Sequence, residues 1–374
     1  MRIVRNLLPL WCEYLYYFLF FMDKDTLYYS AIDLLKELIA IPSFSREEQP
    51  VADRLEAFLL TQGLAPKRIG NNMWVEAAPY RSGVPTLLLN SHIDTVKPVG
   101  GWTRDAFAPT EEGDLLYGLG SNDAGASVVS LLHSFLILKE KEQPYNLIFL
   151  ASCEEEVSGV NGVELALGQL PPISFAVVGE PTGMQPAIAE KGLMVLDCTA
   201  RGQSGHAARD EGINAIYDAM PDIEWFKTTR FPKISPLLGE VKMSVTMINA
   251  GTQHNVVPDE CRFVVDIRSN EHYTNEELFA QITQSIRCEA KARSFRLNSS
   301  GIAVGHPFIK RTSLMGLQPF GSPTLSDQAL MPFPSVKIGP GKSERSHTAD
   351  EYIKKSEIRE ALELYPKLLD GLPL

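Results

Sequence analysis

The chain has 374 residues, a length that favours two domains over one. Hydrophobic residues make up 44% of it and charged residues 22%, which excludes a disordered, collagen-like or coiled-coil protein. The formal net charge is -11 and no basic cluster stands out, so nucleic acid is not an expected partner.

The first element in chain order is an apolar and aromatic segment, residues 7–22, which contains Pro9 and Glu13. A membrane-spanning helix needs about 20 apolar residues, and a secretory signal needs a small-residue cleavage site. The segment meets neither condition. We therefore expect Met22 to be the native start, residues 1–21 to be a non-native extension, and no membrane association. A weak membrane anchor is the alternative.

Two helices are predicted next. Apolar residues recur at helical spacing over residues 27–41, and Pro42 ends the run. Ser45 and Glu48 form the pattern of a capping box, which predicts a second helix that ends at Gly63.

Three apolar runs are then typical of buried strands, at residues 86–90, 147–151 and 175–178. Each is followed by side chains able to bind a metal: His92 and Asp94, the glutamates 154–156, and Glu180. Asp123 opens a predicted amphipathic helix between the first two runs. In open α/β sheets, ligands bind outside the carboxyl ends of the strands. We therefore expect these side chains to meet at one place.

Each of these signals is weak when it is taken alone. Asp94 lies two positions after His92, close enough to orient its ring. Three glutamates directly after a buried strand are costly unless a cation neutralises them. We do not expect four other histidines to bind metal: His133, His254, His272 and His306.

Two rival motifs are rejected. Gly118 and Gly120 could begin a dinucleotide fingerprint, but Asp123 stands where its third glycine belongs. The serine–histidine neighbours, such as Ser204 and His206, lack the setting of a nucleophile elbow.

From about residue 190 the sequence alternates as half-buried strands do, for example at 195–199 and 262–267. A helical stretch at 213–226 is interrupted at Pro221. Another helix begins at the capping box of Thr274 and Glu277. The chain then returns to α/β sequence.

The predicted fold class is therefore α/β. Residues 22–189 and 301–374 are expected to form a catalytic domain with a mainly parallel mixed sheet flanked by helices. Residues 190–300 are expected to form an inserted, smaller α+β domain. The five cysteines are scattered and odd in number, which favours a reducing, cytoplasmic location over a disulfide framework.

Several segments in this order resemble the zinc-dependent exopeptidases and deacylases, the family of acetylornithine deacetylase and succinyl-diaminopimelate desuccinylase. The resemblance runs from Met22 onward. The segments that carry it are 91–96, 120–123, 154–159, 178–182 and 347–351. Several ordered motifs are far more specific than any single one.

The resemblance implies two divalent metal ions, zinc or cobalt. The implied ligands are His92, Asp123 and Glu180 for one ion, and Asp123, Glu156 and His347 for the other, with Asp123 bridging. Asp94 would orient His92, and Glu155 would be the general base. The family usually has Asp-Glu-Glu at the glutamate triplet, and an alignment shifted by one position remains open.

The resemblance also implies that residues 190–300 form a dimerisation or lid domain and that the protein is a homodimer. By similarity, His206 would reach the partner's active site and stabilise the oxyanion. Asn255 and Arg268 would bind the substrate carboxylate. The alternative is that His206 is simply a loop histidine.

The expected activity is hydrolysis of an N-acyl amide on a small-molecule amino acid. Residues 180–182 and 339–341 favour N2-acetylornithine as the substrate and arginine biosynthesis as the pathway, by analogy within the family. N-acetylcitrulline, an N-succinyl amino acid, succinyl-diaminopimelate or a dipeptide are the alternative substrates. A non-catalytic metal-binding dimer scaffold is the alternative from another class, but such a protein would be expected to lack Glu155 or a ligand.

Overall fold

The computed structural model describes residues 24–209 and 211–374. The predicted N-terminal extension, residues 1–21, lies outside the described residues. Within them, every helix is too short or too polar to cross a membrane. The four described cysteines are unpaired.

The described α-helices are α1 (Lys24–Ile39), α2 (Gln49–Thr61), α3 (Ala126–Leu138), α4 (Val163–Leu167), α5 (Ala215–Thr228), α6 (Asn275–Thr283), α7 (Pro307–Leu314) and α8 (Lys355–Leu369). The described strands are β1 (Lys67–Ile69), β2 (Asn72–Glu76), β3 (Thr86–His92), β4 (Thr110–Glu112), β5 (Leu115–Tyr117), β6 (Asn146–Ser152), β7 (Phe175–Val178), β8 (Ala187–Glu190), β9 (Met194–Arg201), β10 (Gly205–His206), β11 (Lys242–Ala250), β12 (Val256–Val257), β13 (Glu260–Arg268), β14 (Glu289–Ala292), β15 (Ser300–Gly301), β16 (Phe320–Ser322), β17 (Ser335–Lys337) and β18 (Tyr352–Lys354).

The largest sheet is mixed and has the strand order β1-β2-β6-β3-β7-β17-β8-β15, with β16 beside β8. Its centre is parallel, because β3 pairs in parallel with β6 and β7, and β7 pairs in parallel with β17. β3, β6 and β7 are buried along their whole length, as parallel strands covered on both faces are. The carboxyl ends of β3, β6 and β7 therefore lie at one edge, and the predicted α/β fold class is confirmed.

Helix α3 packs on β3 and is covered by α1 and α8. All but one of its residues are buried, so the helix is covered around its whole circumference. The structure differs from the prediction in two respects: the helix has no exposed face, and it begins at Ala126 rather than at Asp123. Asp123 lies in a turn of residues 121–125 and has extended rather than helical backbone angles.

The start of α2 also differs from the prediction. Ser45 and Glu48 do not form a capping box, and Glu48 has no side-chain bond to the helix. Instead, the Ser45 hydroxyl donates a hydrogen bond to Asp94, and Glu48 accepts from Asn71 and from the backbone N–H of Glu154. Long-range partners have taken the polar groups that would otherwise cap the helix.

A second, antiparallel sheet has the order β11-β13-β9-β14 and lies within the 190–300 segment. β9 and β13 alternate between buried and more exposed residues, and α5 packs on the sheet over a hydrophobic core of its own. The capping box of Thr274 and Glu277 is confirmed at the start of α6. The predicted interruption at Pro221 was wrong, since α5 continues through it.

Candidate metal centre

The carboxyl edge of the main sheet borders a gap of about 680 Å³, which we call the gap throughout. His92 is the last residue of β3, Glu155 and Glu156 follow β6 in a short helical turn, and Glu180 follows β7. Strand order thus brings together side chains that are far apart in the sequence. The five candidate ligands meet at this edge: His92, Asp123, Glu156, Glu180 and His347.

The donor atoms fall into two groups that share one aspartate. In the first, His92 Nε2 lies 3.2 Å from Asp123 Oδ1 and 3.6 Å from Glu180 Oε1. In the second, His347 Nε2 lies 3.7 Å from Asp123 Oδ2 and 3.0 Å from Glu156 Oε2. The two oxygens of Asp123 therefore face different imidazoles, which is the arrangement that a bridging carboxylate requires.

The chemistry of these donors fits divalent cations. One ligand atom each of His92, Asp123 and Glu156 lies within 4.8 Å of the others. Imidazole nitrogens and carboxylate oxygens are the donors that zinc and related metals accept. Burial raises the pKa of Glu180 to about 8, because its charge has lost the stabilisation that water gives it. The hydrogen bond to Glu156 raises the pKa of His347 to about 9.

Asp94 holds two parts of the site together. Its backbone carbonyl lies 2.9 Å from His92 Nδ1, which leaves Nε2 directed at Asp123. Its carboxylate accepts the backbone N–H groups of Glu155 and Glu156, at 3.0 and 3.1 Å. Burial alone would raise the pKa of Asp94, but its hydrogen bond with His92 leaves that pKa below the ordinary value. The sequence predicted the link to His92 and not the link to the triplet.

The glutamate triplet sends its three side chains to different places. Glu154, with a φ of 55°, is buried away from the gap, and its carboxylate accepts from the side-chain amide of Asn161 at 3.0 Å. Glu156 faces His347. Glu155 lines the gap, and its carboxylate accepts no hydrogen bond from the described residues. Burial raises the pKa of Glu155 well above its ordinary value.

Glu351 is a site residue for which no role was predicted from the sequence. Its carboxylate accepts three backbone N–H groups of the turn that carries Asp123: those of Asn122 (2.8 Å), Asp123 (2.9 Å) and Gly120 (3.1 Å). Glu351 thereby fixes the backbone of the candidate bridging ligand. Its signal in the sequence is the spacing to His347, four positions earlier.

The three site residues predicted in the small domain do not line the gap. His206 and Asn255 are exposed neighbours on the ribbon of β10 and β12, where the N–H of Ala207 donates to the carbonyl of Asn255 at 3.0 Å. Arg268 is bound by both carboxylate oxygens of Asp266, at 2.9 and 3.0 Å. Their proposed roles stay predictions.

Comparisons with known proteins find a matching family model and several relatives. A model described as peptidase family M20/M25/M40 matches residues 88–371. The chain is 27% identical to acetylornithine deacetylase of Proteus mirabilis, over 92% of this chain and 97% of that protein. It is 27% identical to a Mycobacterium tuberculosis protein provisionally named succinyl-diaminopimelate desuccinylase, over 91% and 98%.

A solved structure of a dinuclear metal-binding peptidase from Bacillus subtilis superposes with a TM-score of 0.68. That match covers 92% of this chain and 98% of that chain. The sequence identity is 17%, so this likeness concerns the fold alone.

Proposed function

The chain belongs to peptidase family M20/M25/M40, a family of hydrolases, and on that basis we propose that it removes an N-acyl group from an amino acid by metal-dependent amide hydrolysis. One observation carries the proposal. Two imidazoles lie on opposite oxygens of Asp123, and Glu155 lines the gap without a hydrogen-bond partner among the described residues.

We propose that the gap holds two divalent ions, zinc or cobalt. The proposed ligands are His92, Asp123 and Glu180 for one ion, and Asp123, Glu156 and His347 for the other. Bound there, the ions would supply positive charge that polarises an amide carbonyl and lowers the pKa of water.

The chain's own residues would then handle the proton. Glu155 is a carboxylate at the gap that accepts no hydrogen bond from the described residues, and burial raises its pKa, as suits a group that must accept a proton and return it. In this scheme it takes a proton from the attacking water and delivers one to the leaving amine. Asp94 keeps the His92 ring in the tautomer that directs Nε2 at Asp123.

N2-acetylornithine is the proposed substrate, which would place the reaction in arginine biosynthesis. The relative from Proteus mirabilis bears the name of that activity and aligns over nearly the whole chain. A second candidate is succinyl-diaminopimelate, favoured by the name of the mycobacterial relative. Both substrates present the same amide chemistry and differ only in what the walls of the gap must recognise.

We further propose a homodimer formed through residues 190–300. Strand β11 is at the edge of its sheet and exposes Met247 (56%) and Ile248 (54%). Helix α5, which packs beside β11, exposes Tyr217 (69%) and Met220 (57%). An open strand edge next to exposed apolar side chains is a common pairing surface. Pairing there would allow His206 and Asn255 to serve the partner's gap.

The test is a substrate panel assayed with metal supplied. N-acetyl and N-succinyl derivatives of ornithine, citrulline and diaminopimelate would be incubated with chelator-treated protein, before and after zinc or cobalt is added. We expect metal-dependent release of free amine, fastest with N-acetylornithine. Glu155→Gln protein purified in the same way controls for a contaminating enzyme. Folded, metal-loaded protein that hydrolyses none of the panel would refute the proposal.

A further inference from the structure

We propose that Lys342 and Glu344, at the rim of the gap, recognise the two charged ends of the substrate. Lys342 would bind the free α-carboxylate, and Glu344 would bind a cationic side chain. The substrate class is then an N-acyl amino acid with a basic side chain. This inference rests on the proposed function and adds to it the residues that select the substrate.

The backbone of Lys342 is fixed between the segments that carry two candidate ligands. Its N–H donates to Asn122 Oδ1 at 3.0 Å, and its carbonyl accepts from Asn122 Nδ2 at 3.1 Å. It also forms an antiparallel bridge with Thr182. Asn122 directly precedes Asp123, and Thr182 lies two positions after Glu180. Lys342 is therefore held beside the proposed metals.

The close approach of the Lys342 segment to Asn122 depends on the preceding residue, Gly341. Gly341 has a φ of 85°, and a Cβ there would collide with Asn122 Oδ1. Only glycine adopts this backbone angle readily and leaves room for the asparagine. The segment 341–347 is thus a defined turn that presents Lys342, Glu344 and His347 to one gap.

Lys342 is the cation at the gap that remains free for a ligand. Among the described residues that line the gap, the other lysine is Lys337, which is buried and lies 3.3 Å from Glu190 Oε2. Lys337 also donates to the carbonyl of Thr324 at 3.0 Å. Lys342 is exposed and makes no ion pair with the described residues. Arg268, the carboxylate-binding residue predicted by resemblance, is held by Asp266 instead.

Glu344 is the acidic residue at the gap that remains free for a ligand among the described residues. The other acidic residues that line the gap are Asp123, Glu155, Glu156 and Glu180, all of which the proposed centre uses. Glu344 is exposed, makes no ion pair within the described part of the chain, and lies two positions after Lys342. One free cation and one free anion therefore stand on the same turn, next to the place where the amide would be cleaved.

These charges match what remains on an N-acylated amino acid. Acylation removes the charge of the α-amine and leaves the α-carboxylate, so any positive charge must come from the side chain. An ammonium–carboxylate pair is a charge-assisted contact, stronger than a neutral hydrogen bond. A neutral side chain would leave Glu344 unpaired, and a second carboxylate near it would be repelled.

The test is a comparison of substrates across variants. We would measure kcat/KM for N-acetylornithine, its α-carboxamide and N-acetylcitrulline. Wild-type protein is expected to prefer the acid over the amide, and ornithine over citrulline, by about 10-fold each, as for a hydrogen bond to a charged group. Lys342→Gln should bring the first ratio close to 1, and Glu344→Gln the second. Lys342→Arg should retain part of the first ratio, because it keeps the charge.

Matched controls are available. Lys310→Gln and Glu360→Gln remove exposed, unpaired charges that do not line the gap and should leave both ratios as in wild type. If Lys342→Gln keeps the acid-to-amide ratio while Arg268→Gln abolishes it, the carboxylate belongs to Arg268 and the inference is wrong. If Glu344→Gln keeps the ornithine-to-citrulline ratio, the second half is wrong.

A binding measurement separates this inference from the proposed function. Zinc-loaded Glu155→Gln protein would be titrated calorimetrically with the same three compounds. If wild-type protein hydrolyses none of them, the proposed function fails, but the affinity ratios and their response to Lys342→Gln still decide the inference. Equal affinity for the acid and the amide would overturn it.

Discussion

Three isosteric substitutions at adjacent positions, Glu154→Gln, Glu155→Gln and Glu156→Gln, should have three different effects. Each change removes one negative charge and leaves nearly the same volume. The structure places the three carboxylates in different surroundings: one in the protein interior, one at the gap and one against His347. Any difference between the variants therefore reports on position and not on the chemistry of the substitution.

The expected magnitudes follow from those surroundings. Glu154 accepts from the side-chain amide and the backbone N–H of Asn161, so Glu154→Gln should lower the free energy of unfolding by about 1–2 kcal/mol and spare turnover. Glu155→Gln should keep bound metal and lower kcat by about 10²- to 10⁴-fold, the usual contribution of a general base. Glu156→Gln should weaken metal binding by at least about 10- to 100-fold, since even residues behind the ligands contribute that much.

The assay combines three measurements on each variant: zinc content after dialysis against a weak chelator, kcat at saturating zinc, and thermal unfolding. Excess zinc should restore turnover in Glu156→Gln and not in Glu155→Gln. If Glu155→Gln loses zinc while Glu154→Gln loses turnover, the family alignment of the triplet is shifted by one position. Full turnover in Glu155→Gln would refute the base assignment altogether.

The other predictions concern the metals and the dimer. Because a metal must displace the proton of His347, whose pKa is raised to about 9, the affinity for the ion that His347 is proposed to bind should rise about 10-fold per pH unit between about pH 6 and 8; chelator competition measures this, and a flat profile would contradict it. Asp94→Asn should lower zinc affinity by about 10- to 100-fold, because the new amide N–H₂ group cannot accept hydrogen bonds from the backbone N–H groups of the triplet. Ser45→Ala removes one hydrogen bond to the same carboxylate and should lower zinc affinity by less. Ile248→Glu should give monomers in sedimentation and lower turnover, whereas a variant that still sediments as a dimer would exclude β11 from the interface.

The strands that carry the site were predictable from sequence because two independent signals coincide. A short apolar run identifies a buried strand, and a histidine or acid directly after it marks the carboxyl end. His92 ends β3, and Glu180 lies two residues beyond β7. Since parallel strands share the direction of their carboxyl ends, residue type and strand position together predict where the side chains meet.

Helix α3 shows what such local reasoning misses. Ser127, Ser130 and Ser134 suggest a polar face, yet all three are buried. Their hydroxyls have no hydrogen-bond partner in the described structure. The helix is covered by α1 and α8, which come from the two ends of the described chain. This covering is a long-range event, so periodicity within the helix could not predict it.

Sequence also could not distinguish the candidate ligands from the carboxylates that hold the ligand-bearing turns in place. Asp94 and Glu351 are acids, as three of the candidate ligands are, but each accepts hydrogen bonds from the backbone of a turn that carries a ligand. Asp94 binds the N–H groups of residues 155 and 156. Glu351 binds those of residues 120, 122 and 123. Which role a carboxylate takes depends on whether it faces backbone donors or the gap. Sequence shows the residue type and not the direction, and for Glu351 the partner N–H of Asp123 is 228 positions away. Because backbone N–H groups already occupy both oxygens of Glu351, this carboxylate is better suited to fix Asp123 than to bind an ion itself.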